Sequence, residues 1–166
     1  MIPYPTLDQK KMIVQNAVDC FRSLGYGQPM VAVMAASETV NPRMPETREA
    51  AQLKEMAENG AFGACVLDGP LSYDLVMSAE SAQIKGVVSP VNGEADVLVA
   101  PNIAAGNLLC KGMVYTGGAM MAGCMMGAGA PIVLTSRGAS AEEKRLSLLL
   151  AAVAVIVLIS KYGEKV

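Results

Sequence analysis

Thr135-Ser136-Arg137-Gly138 sets a hydroxyl, a guanidinium and a flexible glycine between the apolar run Pro131 to Thr135 and the start of a long helix from Ser140. Free N–H groups and the dipole at a helix amino end favour an anion, and the planar fork of arginine suits phosphate or carboxylate. One reading of the segment is therefore an anion site. The other pairs Arg137 with a surface carboxylate and leaves Ser136 to shape a turn. Glu143 also carries two readings. Ser140-Ala141-Glu142-Glu143 has capping-box spacing, so Glu143 either reaches back to the Ser140 N–H or acts as a general base one turn above Arg137. Asp74, in the first turn after Ser72, reads as a helix-dipole carboxylate. Asn107 and Lys111 stand four apart on one helical face, placed either to address a ligand or to be solvated.

Other chemistry is excluded by what the chain lacks. Histidine is absent, which removes Ser-His-Asp and Cys-His nucleophilic systems, His-ligated zinc and His proton shuttles; no metal site is expected. Thirteen Lys+Arg against fifteen Asp+Glu give −2 at pH 7, with no basic stripe to follow a phosphate backbone, so nucleic acid is not an expected partner. The stretch Gly117 to Gly129 lacks the G-x-G-x-x-G order and does not lead from a strand into a helix, and no P-loop sequence is present. Close backbone packing is its expected purpose. Met120, Met121, Met125 and Met126 within it read as adaptable core or interface filler.

The elements that must position these residues follow from hydrophobic periodicity. Thr6-Leu7-Asp8-Gln9 has capping-box spacing, and Ile13, Ala17, Cys20, Phe21 and Leu24 predict one helical face before Gly25. Met30 to Ala36 reads as a buried parallel strand and Pro45 to Glu58 as a helix closed by Gly60. A strand is predicted over Ala61 to Leu67, ending at the turn Asp68-Gly69-Pro70, then a helix from Ser72 to about Gln83. Val87-Val88 and Val97 to Ala100 are short strand candidates. A helix follows Pro101-Asn102, and Pro131 to Thr135 is the last predicted strand. The alternation predicts an α/β domain with a mostly parallel sheet flanked by helices, one domain over residues 1–166. In such sheets ligands gather at the carboxyl ends of strands.

The cysteines, Cys20, Cys65, Cys110 and Cys124, stand singly with no C-x-x-C pair and no secretory leader, and predict reduced thiols in a cytoplasmic protein. Gly112 to Ser136 is uncharged, but glycines and Pro131 interrupt it; Leu146 to Ile159 falls short of the ~20 residues that cross a bilayer. Neither is expected to be a membrane span. A helix apolar all round is buried in a core or an interface, and charged residues at only 17% point the same way, to a covered surface.

Pro131-Ile-Val-Leu-Thr-Ser-Arg-Gly138, followed by Ser140 and an acidic helix start, resembles the carboxyl-terminal signature of phosphotransacylases, the phosphate acetyl- and butyryltransferases. Val31-Ala-Val-Met-Ala-Ala-Ser-Glu38 with Val40-Asn-Pro42, Met44-Pro45, and Asp68-Gly-Pro-Leu71 with Asp74 are similar to the butyryl branch. Ala95-Asp-Val-Leu98 with Pro101-Asn102, Gly106-Asn107 and Lys111 complete the set, in order along nearly the whole chain. The resemblance implies exchange between acyl-CoA plus phosphate and acyl phosphate plus CoA, with coenzyme A as substrate and no permanently bound cofactor. It implies that Arg137 binds phosphoryl oxygens, that Ser136 hydrogen-bonds the reacting carbonyl, and that Glu143 takes the thiol proton. Asp68, Asn102, Asn107, Lys111 and Gly138 would line the same cleft. Family chains are longer and two-lobed, like isocitrate and isopropylmalate dehydrogenases. The chain is therefore expected to be the carboxyl-terminal lobe, homodimeric, and weak or inactive without a separate amino-terminal lobe. A non-catalytic CoA- or phosphate-binding or assembly module is the alternative.

Overall fold

The computed structural model describes residues 2–128 and 130–162; Gly129 and the side chains beyond Val155 lie outside the described residues. Helix α1, Leu7–Ser23, starts at the expected capping box: the Thr6 hydroxyl accepts from the Gln9 N–H and the Gln9 side chain accepts from the Thr6 N–H. Its buried face differs from the predicted one. Val14 and Val18 are fully enclosed while Ile13 is exposed, so the stripe is turned by about one residue. Lys10 joins that buried face because its ammonium pairs with Glu49, which lies on helix α2, Pro45–Glu58. That helix has the bounds its sequence predicts, with proline in the first turn, where a missing N–H costs nothing.

Strand β1, Met30–Met34, is the centre of a three-stranded parallel sheet of order β2-β1-β3, where β2 is Val66–Leu71 and β3 is Val97–Val99. Alternate residues of β1 face opposite layers, as strand geometry requires. Val31 and Val33 pack with Leu67, Val97 and Val99 against Val14, Val18, Ala50, Leu53 and Phe62. Ala32 and Met34 pack with Leu71 against Leu75, Val76, Ala82 and Val91. The sheet is thus covered on both faces, which its near-continuous apolar strands anticipate.

Asp68-Gly69-Pro70 does not turn. It runs inside β2, where Asp68 stands opposite Ala32 and the register shifts between Ala32 and Met34. The shift accommodates Pro70, which has no N–H for the ladder, and a Cβ on Gly69 would lie 2.7 Å from the Val33 carbonyl oxygen. The single helix predicted from Ser72 is two: α3, Tyr73–Met77, and α4, Ala79–Lys85. Ser78 divides them by taking extended backbone and accepting the Ser81 N–H as an amino cap. Val87-Val88 is not a strand; Val88 is almost entirely exposed.

Helix α5, Ile103–Tyr115, follows the Asn102 cap and has no buried residue. Strands β4, Cys124–Met125, and β5, Ile132–Val133, pair antiparallel in a separate ribbon. The predicted strand Pro131 to Thr135 is therefore shorter than expected and lies outside the parallel sheet, with Ile132 and Leu134 exposed on either side of half-buried Val133. Helix α6, Ala141–Tyr162, completes the described chain. It buries Ser147, Ala151 and Ala154 but leaves Leu148 at 62% and Leu149 at 50% exposure.

Candidate functional site

Because the three main strands run parallel, their carboxyl ends share one edge of the sheet. Beyond β1, the Glu38 carboxylate accepts from the Ser72 hydroxyl at 2.5 Å and from the Lys85 ammonium at 2.8 Å. Beyond β2, Asp74 accepts from the same hydroxyl at 2.7 Å and pairs with Lys85 at 3.0 Å. The hydroxyl and ammonium hold both carboxyls below their ordinary pKa values, and the two carboxylates raise that of Lys85. Beyond β3, Asn102 caps α5 by accepting the Ala105 N–H at 3.0 Å.

A small hollow opens between α5 and the amino end of α6, lined by Lys111, Val114, Tyr115, Met121, Ser136, Gly138, Ala139 and Glu143. Helix spacing brings Lys111 and Tyr115 onto one side of it, with the ammonium 5.9 Å from the centre of the Tyr115 ring. The segment after β5 supplies the opposite side. Ser136 begins a tight turn in which its carbonyl accepts the Ala139 N–H at 3.0 Å. The capping box then forms in full: the Glu143 carboxylate accepts from the Ser140 N–H at 2.7 Å, and the Ser140 hydroxyl accepts from the Glu143 N–H at 3.2 Å. The Ser140 N–H, with smaller help from the Ser140 side chain and the Met121 N–H, draws the Glu143 pKa down. The carboxylate is ionised near neutral pH.

Ser136, Gly138, Glu143 and Lys111 are thus brought together. Arg137 projects into solvent beside them and makes no ion pair among the described residues. Asp68 is engaged elsewhere, paired with Lys54 on α2 at 2.7 Å and bonded to the Gly69 N–H. Asn102 and exposed Asn107 lie on α5 or its cap but do not line the hollow. Tyr115 is not singled out by the sequence but stands four residues beyond Lys111; Met121, read from sequence as core or interface filler, instead lines the hollow, which it reaches through a loop with no periodicity. No group of His, Cys, Asp and Glu able to hold a metal occurs among the described residues. All four cysteines are free.

The phosphate acetyl/butaryl transferase family matches residues 1–152, and the chain belongs to that family. A phosphate acetyltransferase of Rhizobium meliloti is 46% identical over 149 residues, covering 90% of this chain and 47% of its own length. A phosphate butyryltransferase of Clostridium acetobutylicum is 44% identical over 149 residues, covering 90% of this chain and 50% of its own. The chain spans about half the length of the curated relatives it matches. The crystal structure of a branched-chain phosphotransacylase from Enterococcus faecalis V583 superposes with a TM-score of 0.84 at 37% identity, over 93% of this chain and 55% of that one. Acetyl and butyryl relatives stand at nearly equal identity, so acyl length does not follow from likeness.

Proposed function

We propose that this chain supplies one wall of a phosphotransacylase centre, which exchanges an acyl group between the sulfur of coenzyme A and phosphate. The observation that carries the proposal is the convergence of Ser136 and Glu143 on one hollow, with exposed Arg137, which makes no ion pair among the described residues, next to Ser136 in the chain. In the direction of acyl-CoA formation, the thiol loses its proton to the Glu143 carboxylate. The thiolate attacks the acyl carbon, the Ser136 hydroxyl donates to the developing oxyanion, and the C–O bond to phosphate breaks, releasing phosphate. Arg137 holds the phosphoryl oxygens through its fork. The cap and the base are compatible in one group: a carboxylate has about four lone-pair positions, and the Ser140 N–H takes one.

On this reading a second lobe, as in the longer relatives, forms the other wall, and the chain alone turns over slowly or not at all. The exposed Leu148 and Leu149 on α6 support the companion proposal of a homodimer. A non-catalytic module that binds CoA or phosphate is the rival reading, favoured by the exposed position of Arg137. Acyl-CoA formation from butyryl phosphate decides between them, measured for the chain alone and with the amino-terminal half of a relative added. Turnover appearing on addition supports the enzyme. Binding of CoA or phosphate by calorimetry, with no turnover in either sample, supports the module.

A further inference from the structure

Ser147 is enclosed to 1% exposure within the otherwise apolar middle of α6. A buried hydroxyl is costly unless both its donor and its acceptor are used, and a serine inside a helix weakens it. Here both are used. The Ser147 hydroxyl donates to the Glu143 carbonyl at 2.7 Å and accepts the Gly123 N–H at 2.9 Å. The Gly123 carbonyl in turn accepts the Leu134 N–H at 3.2 Å, and Leu134 lies two residues before Ser136. A Cβ on Gly123 would fall 2.1 Å from the Leu134 carbonyl oxygen, so these backbones meet as closely as glycine alone permits. The Glu143 carbonyl needs no side chain for its own satisfaction, since helix geometry offers it the amide four residues on. What the hydroxyl adds is the link to Gly123.

We infer that Ser147 is a positioning residue: it fixes the strand pair that leads into Ser136 and Arg137 against the first turn of α6 bearing Glu143, and so sets where the anion-holding turn stands relative to that helix end. The inference rests on the acyl-transfer reading of that hollow. A link of this kind matters because small displacements of reacting groups are expensive in rate and affinity.

The test compares wild type, Ser147→Ala, Ser147→Thr and a remote core control, Val91→Ala, in the full chain. Readouts are hydrogen exchange of the Gly123 amide and calorimetric affinity for inorganic phosphate. Ser147→Ala is expected to speed Gly123 exchange and to weaken phosphate by about tenfold as the turn carrying Ser136 and Arg137 drifts from the helix end. Val91→Ala lowers the melting temperature without changing phosphate affinity, and Ser147→Thr, which keeps the hydroxyl, restores both readouts. If the threonine variant does not fold, Ser147→Ala against Val91→Ala decides alone. Unchanged Gly123 exchange in Ser147→Ala overturns the link. Faster exchange with wild-type phosphate affinity overturns positioning. If the wild-type chain shows no turnover and no phosphate binding even with the amino-terminal half of a relative added, the acyl-transfer reading itself is overturned, and the inference falls with it.

Discussion

Glu38, Asp74 and Lys85 show how one hydroxyl organises charge at the sheet edge: Ser72 donates within reach of both carboxylates while the single ammonium bridges them. Both carboxyl pKa values are depressed from ordinary values of 4.5 and 3.8, so their contribution to stability is present above those values and lost as pH falls through the depressed ones. Lys85 is raised from 10.5, so its contribution is present below that value and lost as pH rises through the raised one. The melting temperature is therefore expected to fall on acidification below about pH 4, and Glu38→Gln to flatten that acid limb in thermal melts followed by circular dichroism. Arg137 offers a prediction on the chemistry. In an assembly that turns over, Arg137→Ala is expected to cost about 3–4 kcal/mol of transition-state binding, read as a fall in kcat/KM; an unchanged rate removes it from the mechanism. The sequence singled out Ser136, Arg137 and Glu143 because strand, turn and helix start are local signals. Asp68-Gly69-Pro70 reads as a turn because its residue types favour one locally, whereas its place inside β2 depends on pairing with β1 across a register shift that no local spacing encodes.

Among the elements, the amino end of α6 and the β4–β5 ribbon are coupled most directly to the site. Ser140→Ala removes the hydroxyl half of the capping box and is expected to lower stability by about 1 kcal/mol in denaturant unfolding. The Ser140 N–H remains, so the Glu143 carboxyl stays depressed. Gly123→Ala forces a methyl against the Leu134 carbonyl and is expected to cost about 1–3 kcal/mol in the same measurement, or to part the ribbon. Helices α1 and α2 were legible because capping boxes, proline and apolar spacing act within one turn. The division at Ser78 was less so: its extended backbone and its cap on the Ser81 N–H take effect only where Leu75, Val76 and Ala82 fold onto the sheet. Pro131 to Thr135 reads as a buried strand by composition alone, yet its pairing with Cys124 and Met125 gives it a solvent side that a hydropathy run cannot announce.

At the scale of the molecule, the parallel sheet and its two covering layers hold the fully buried side chains of both apolar clusters, while the segment carrying the candidate site is thinly enclosed. No helix among the described residues is long and apolar enough to cross a membrane. Leu148 and Leu149 stand exposed on α6. The proposed homodimer predicts that Leu149→Glu lowers the mass measured by light scattering from two chains to one, with far-ultraviolet circular dichroism unchanged. Helix α5 buries none of its residues. A helix held by so little enclosure opens before the sheet does, so occupancy of the hollow beside Lys111 and Tyr115 and the folding of that helix become a single linked equilibrium. Phosphate or CoA would then slow amide exchange along α5 while leaving the β1 amides untouched, and part of the ligand's binding energy would go into closing the helix beneath it.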